Sequence, residues 1–178
     1  MSDEKFDEKE AEFVAETLIG KTVKYNGKIA VITETEAYGD DDPFCYGIRY
    51  GKTQKNSVSF MKGGHIFLYA GMFMITAGSS DGSPQNVLIR KLNITKCGGP
   101  YNLRKYFGFP KELNGKKLGE ESGLFISGKT APSERRKRGK FNVHKATEEY
   151  AHRQGISESA AFEKVTRYRD IDWRFCIK

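Results

Sequence analysis

Cysteine, histidine and long apolar runs are all scarce in this chain, and each scarcity excludes a class of protein. The three cysteines, Cys45, Cys97 and Cys176, are far apart and odd in number. They lack CxxC or CxxxH spacing, so neither a disulfide framework nor a structural zinc site is expected. The three histidines, His65, His144 and His152, form no cluster with them, and neither a metal nor a cofactor is expected. No apolar run reaches the roughly 20 residues that span a bilayer. No basic-then-apolar leader opens the chain. The expectation is an intracellular, cytoplasmic protein with no membrane partner, nucleoid-associated if the source is prokaryotic. Internal repeats, interdomain linkers and low-complexity tracts are also missing. At 178 residues, one domain over 1–178 is expected, large enough to bury a core without staples.

What is abundant is charge, unevenly placed. The net charge is +7 and the isoelectric point about 9.2. Residues 1–16 nevertheless hold seven acids against two lysines. Within 129–145, Lys129, Arg135, Arg136, Lys137, Arg138, Lys140 and Lys145 face Glu134 alone. A basic cluster suits a polyanion, because each neutralised phosphate releases counterions. A solvated, mobile loop accounts for the same residues equally well. The global imbalance favours a nucleic acid as the partner of the protein body. The acidic N-terminus has two readings, a plain solubilising surface or a phosphate mimic that covers the basic face.

Local patterning indicates an α+β chain with antiparallel connections, a curved, barrel-like sheet flanked by helices. Asp7 to Ile19 reads as a helix stopped by Gly20. Thr22 to Tyr25 and Lys28 to Glu36 flank Asn26-Gly27, a strong hairpin signal. Gly39 to Lys55 is polar and irregular. Two further strands, His65 to Tyr69 and Met72 to Ala77, flank Ala70-Gly71. A loop over 78–84 leads into a strand from Val87 to Leu92. Gly98-Gly99-Pro100 opens a helix over Tyr101 to Phe107. Leu124 to Ser127 and Trp173 to Ile177 read as strands, and Ala146 to Gln154 as a helix.

The most telling stretch is Thr33-Glu34-Thr35-Glu36-Ala37-Tyr38-Gly39-Asp40. On a strand, Glu34 and Glu36 share a face, and they lie where the strand meets a loop. Alone, this is more often a solvated pair of acids. Four further blocks follow in order: Thr53-Gln54-Lys55-Asn56, Phe60 to Tyr69, Gly71-Met72-Phe73, and Val87-Leu88-Ile89-Arg90-Lys91-Leu92. Gly98-Gly99-Pro100-Tyr101-Asn102-Leu103 and the closing Trp173-Arg174-Phe175-Cys176 complete the series. Together they resemble the alkyladenine (3-methyladenine) DNA glycosylase family, over nearly the whole chain.

That resemblance implies a monofunctional hydrolase of base excision repair, likened to DNA-3-methyladenine glycosylases, acting on duplex DNA as a monomer without a cofactor. The damaged purine nucleotide turns out of the stack into a pocket, and cleavage develops oxocarbenium character that a carboxylate stabilises. Glu36 matches the acid that activates water, and Arg90 the arginine that helps hold it. Tyr38 and Tyr69 match the stacking tyrosines, whose ring faces attract a cationic alkylated base. The resemblance also places a backbone carbonyl near Tyr168 at the site. Three departures stand out. Tyr46 occupies the position of a pocket histidine. The hairpin after Tyr69 reads as two residues short, so the duplex-penetrating tyrosine maps near Ala70 and Met72 or Phe73 takes its place. Ala77 stands where an asparagine screens the base. Lys55, Arg135, Arg136, Lys137 and Arg138 are the expected DNA contacts. Two other readings stay open: a damage-binding or architectural DNA protein that lost excision, and, more weakly, an RNA-binding domain.

Overall fold

The computed structural model describes residues 6, 9–78, 82–94 and 99–178. Much of the acidic N-terminus, Ser79 to Asp81 of the 78–84 loop, and Cys97 and Gly98 lie outside the described residues. Among the described residues, no helix is long and apolar enough to cross a membrane.

The chain runs α1 (Ala11–Thr17), β1 (Thr22–Tyr25), β2 (Lys28–Tyr38), α2 (Tyr46–Tyr50), β3 (Ile66–Tyr69), β4 (Met72–Thr76) and β5 (Asn86–Leu92). It continues through α3 (Tyr101–Phe107), β6 (Phe125–Ser127), β7 (Ser133–Arg136), α4 (Val143–Gln154), α5 (Glu158–Asp170) and β8 (Arg174–Ile177). This is the expected α+β architecture, with a curled antiparallel sheet. The strand order is β3-β4-β5-β2-β1-β6, with β8 paired to β2 and β7 to β8. The long strand β2 is the hub. Its first half pairs with β1, Thr22 opposite Val31 and Tyr25 opposite Lys28. Its second half has β5 on one edge and β8 on the other, Glu36 lying opposite both Leu88 and Arg174. Irregular register between Ile32 and Thr35 bends the strand at this handover.

Strand alternation divides the side chains between two environments. On one face Phe73, Ile75, Ala77, Val87 and Ile89 join Val14 and Ala15 of α1, and Leu18 just after it, in the main core. The Thr35 hydroxyl donates to the Ala15 carbonyl at 2.7 Å, so α1 is tied directly to β2. On the opposite face Phe67, Met72, Met74 and Leu88 pack with Val58. A third cluster joins α4 and α5 to Phe44 through Ala146, Tyr150, Ala161, Val165 and Tyr168. Tyr38 touches the last two clusters, and the space between them becomes the site.

Several expectations needed correction. Among the described residues of the expected Asp7–Ile19 helix, only Ala11–Thr17 is helical. Gly20 then turns at φ +85°, where an added Cβ would stand 2.4 Å from that of Ala131, so only glycine fits. The irregular 39–55 segment contains α2. The basic cluster is not simply a solvated loop: Ser133–Arg136 forms β7, because β8 offers an open edge (Arg135 opposite Phe175). Helix α5 escaped the pattern reading because it is highly charged. Its buried residues Ala161, Val165 and Tyr168 fall at helical spacing, and Ser157 caps it, its Oγ accepting from Ala160 N–H at 3.2 Å.

Both tight hairpins need two residues with positive φ. Asn26 (46°) and Gly27 (75°) are the usual choice, whereas the β3–β4 turn uses Ala70 (47°) and Gly71 (81°). A Cβ in the left-handed region costs energy that glycine avoids. Replacing Ala70 by Gly is therefore expected to raise stability by roughly 0.5–1 kcal/mol, read as a higher urea midpoint at unchanged slope.

Candidate active site

Position along each strand selects what faces the space between the sheet and the segments Phe44 to Arg49 and Gly139 to Asn142. Glu36 and Tyr38 near the end of β2 point there, as do Asn86, Leu88 and Arg90 across from them on β5, with Glu34 one step further from the opening. Arg90 Nε donates to Glu34 Oε1 at 2.8 Å, and its Nη1 donates to Glu36 Oε2 at 2.9 Å. One guanidinium thus fixes two carboxylates that share a face, as the alternation requires. Glu34 also meets Lys91 Nζ at 3.0 Å and Arg174 Nη2 at 2.7 Å. Burial pushes the Glu34 carboxyl up, but these cations outweigh it and hold it below the usual range. Burial pulls the Arg90 guanidinium down, and the two carboxylates more than reverse that.

Glu36 is 1% exposed and receives a second hydrogen bond, from the Tyr38 hydroxyl to Oε1 at 2.6 Å. Burial first, then the Glu36 charge, keeps that phenol protonated well above its ordinary range, so Tyr38 is a steady donor. Glu36 is ion-paired, yet it lies on the wall of a cavity of about 430 Å³. That volume is ordinary for a small-molecule site. The remaining wall is largely apolar and aromatic, with Phe44, Tyr46, Phe67, Met72, Met74, Leu88 and Phe141. Asn86 supplies a polar group: its Nδ2 donates to Ser59 Oγ at 2.6 Å, and its buried Oδ1 has no partner among the described residues.

Behind Tyr38 stands Arg138, its side chain fully buried. Its guanidinium lies 4.5 Å from the Tyr38 ring centroid, 4.9 Å from Phe141 and 5.4 Å from Phe44. The rings of Phe44 and Phe141 stack on each other at 3.9 Å. Arg138 Nη1 is 2.8 Å from Asp42 Oδ2 and its Nε 3.9 Å from Glu36 Oε1. The Asp42 contact is an ion pair without hydrogen-bond alignment, since both Asp42 Oδ2 and two Arg138 nitrogens lack hydrogen bonds. Burial raises the Asp42 carboxyl to about 6 despite the arginine beside it.

The expected site residues therefore divide. Glu36, Arg90, Tyr38 and Tyr46 meet at the cavity. Tyr69 stands one layer out, its ring 5.1 Å from Tyr46 and 5.5 Å from Phe67; Phe67, two residues earlier on the same face, lines the wall. Phe73 and Ala77 face the main core, fully buried, which removes Phe73 as a duplex wedge and Ala77 as a base contact. Met72 is buried in the cavity wall and does not protrude. Arg138 is an interior ion-pair partner, not a phosphate contact. Arg135 is held by Glu12 at 2.5 Å and Glu16 at 2.8 Å, and Arg136 pairs with Glu134. Two acids of the N-terminal region do cover part of the basic cluster. Lys137 and Lys55 are exposed. The Lys55 turn is closed by Asn56 Oδ1, which accepts from Thr53 N–H and Oγ1 at 2.7 and 2.9 Å. The Tyr168 carbonyl accepts from Arg138 at 3.5 Å.

The methylpurine-DNA glycosylase family model matches residues 5–98, just over half of the chain and the part that carries β1 to β5. The chain belongs to the methylpurine-DNA glycosylase family. A relative from Rickettsia felis, named "Putative 3-methyladenine DNA glycosylase", is 33% identical over 129 residues, covering 67% of this chain and 72% of the relative. A protein of the same name from Wolbachia pipientis subsp. Culex pipiens is 39% identical over 111 residues, 57% of this chain and 60% of its own length. Glu36, Tyr38, Tyr46, Phe67, Asn86 and Arg90 all fall inside the family match, whereas Arg138 and Phe141 lie beyond its end.

Phe44, Phe67 and Asn86 were missed as cavity residues, and Arg138, expected at the DNA surface, is instead a buried partner of Asp42. Parity was the available signal for two of them: Phe67 shares a face with Tyr69, and Asn86 with Arg90. No local signal marks Arg138 as buried. Its dependence on Asp42 is measurable. A carboxyl raised from 3.8 to about 6 binds a proton in the folded state that the unfolded chain refuses between those values. Its contribution to stability therefore grows as pH falls through about 6 toward 3.8. Replacing Arg138 by Ala leaves a buried charge unpaired and is expected to cost about 3–5 kcal/mol at pH 8. The cost should shrink at pH 5, where Asp42 is neutralised. Thermal unfolding at the two pH values checks the sign.

Proposed function

We propose that this chain is a monofunctional DNA glycosylase, a single-domain monomer without a cofactor. It turns an alkylated purine nucleotide out of duplex DNA and hydrolyses the bond between base and deoxyribose. The observation that carries this reading is the Glu36 carboxylate, held by Arg90 and Tyr38 on the wall of an aromatic-lined cavity. Each carboxylate oxygen has a second acceptor site, so Glu36 can take a proton from an attacking water while keeping both hydrogen bonds. Its negative charge also opposes the positive charge that develops on the sugar. Arg90, fixed by Glu34, keeps the carboxylate in one orientation, which is the preorganisation that electrostatic catalysis requires.

A purine alkylated at N3 or N7 is cationic, and the rings of Tyr38, Tyr46, Phe44 and Phe67 attract such a base more than a normal one, by roughly 0.5–2 kcal/mol per contact. Arg138 already lies over the Tyr38 and Phe44 rings and Arg49 over Phe44 and Tyr46, so binding relies on Phe67 and on the unoccupied sides of the tyrosines. The Asn86 carbonyl accepts an N–H from the edge of the base, which discriminates among lesions.

Replacing Glu36 by Gln should abolish release of free base while preserving binding to damaged duplex. Wild type should leave an unbroken abasic strand that alkali then cleaves. Undiminished turnover in the Gln variant would refute the assignment. A lesion panel should show 3-methyladenine and 7-methylguanine, whose edges carry N–H donors, excised at least ten-fold faster than 1,N6-ethenoadenine, whose edge carries none. A reversed order would remove Asn86 from the site.

A second reading, damage binding without excision, is favoured by one observation. Both Glu36 oxygens already accept hydrogen bonds, and a second guanidinium stands 3.9 Å away. Tight binding with no abasic product on any lesion would support it.

A further inference from the structure

We propose that Tyr101 is the side chain that enters the duplex and fills the space left by the everted nucleotide. This rests on the base-flipping reading above and names the residue that makes eversion persist. Turning a base out leaves a gap between two stacked pairs, and an inserted ring restores the lost stacking on both sides. The hairpin tip cannot serve: Ala70 is exposed but offers only a methyl group, while Met72 lies in the cavity wall and Phe73 in the core.

Tyr101 meets each requirement. It is 63% exposed, more than any other large apolar side chain among the described residues. It also lines the cavity together with Pro100, so its ring stands at the rim, partly in solvent and partly over the opening. The hairpin tip is its neighbour, since a Cβ on Gly71 would lie 3.5 Å from Tyr101 Cδ1. The other exposed aromatics among the described residues, Phe13, Tyr50, Phe125 and Phe162, belong to α1, α2, β6 and α5, and none of them lines the cavity.

A ring that pushes into a stack needs a rigid base, and α3 supplies one. Leu103 and Phe107 are buried in the main core, and the helix closes on Gly108, whose N–H donates to the Arg104 carbonyl at 3.0 Å. Lys105, one turn along the helix, and Lys140, which also lines the cavity, are both exposed, and each is a cation able to hold a phosphate beside an inserted ring.

The test compares wild type, Tyr101→Ala and Tyr101→Phe on one 7-methylguanine oligonucleotide, presented as duplex and as single strand. Single strands need no gap filled. The Ala variant should lose at least ten-fold more excision on duplex than on single strand, and the Phe variant should recover most of that loss. A second measurement needs no chemistry: 2-aminopurine replaces the lesion in the duplex, and its fluorescence rises when it leaves the stack. Wild type should produce the rise and the Ala variant should not. Equal losses on both substrates, no loss at all, or an undiminished fluorescence rise with the Ala variant would overturn the proposal. If wild type excises nothing, the glycosylase reading fails, while the fluorescence comparison still decides the role of Tyr101.

Discussion

One guanidinium bridging two carboxylates organises this protein. Arg90 reaches across from β5 to Glu34 and Glu36, two residues apart on β2. All three side chains sit at the centre of the sheet, where Glu34 and Glu36 are almost fully buried. Two like charges so close would separate or take up protons if left alone. The bridge, with Lys91 and Arg174 on the outer acid, keeps them together on one face. The two carboxylates consequently have unequal freedom. Glu34 is saturated with cations and acts as an anchor for Arg90. Glu36 accepts from that arginine on one oxygen and from the Tyr38 hydroxyl on the other, and it opens onto a cavity.

The cavity itself follows from how the sheet is covered. Helix α1 seals one face with a conventional apolar core. The opposite face is covered only in part, by the α4–α5 pair and the segment around Gly139 to Asn142, and the uncovered remainder is the pocket. Aromatic rings come to it from β2, β3, α2 and the segment before α4. A second buried ion pair, Arg138 with Asp42, stands behind Tyr38 and Phe44 and locks their rings. Buried pairs of this kind contribute little net stability. Their effect is to fix geometry, which suits a site whose chemistry depends on where a carboxylate points.

Most of this was legible in the residues, for reasons that differ from element to element. The β-branched run before Glu36 and the Asn26-Gly27 pair are local signals that located the strands, whereas Glu36, Tyr38 and Arg90 were singled out by the resemblance that the ordered motif blocks carry. The errors were of two kinds. Phe73 and Ala77 were placed at the site through the resemblance, yet both lie in the main core, and a strand buried on both faces shows no polar alternation that would have warned of it. Ser133 to Arg138 looked like a uniform basic tract, yet Arg135 is neutralised by α1 acids, Arg136 by its neighbour and Arg138 by a buried aspartate. Of those partnerships only Arg136 with Glu134, two apart on β7, has a counterpart in spacing along the chain.

Sequence by itself determined the α+β class, the two hairpins, and the placing of Glu34 and Glu36 on one face of a strand. These depend on side-chain period and turn chemistry, which act over a few residues. Tertiary structure alone decided which face of each strand meets the cavity, that Arg138 is interior, and that Tyr101 stands at the rim beside a hairpin tip bearing only a methyl group. Those outcomes depend on which surfaces exclude water from one another, and that is settled only when distant segments pack.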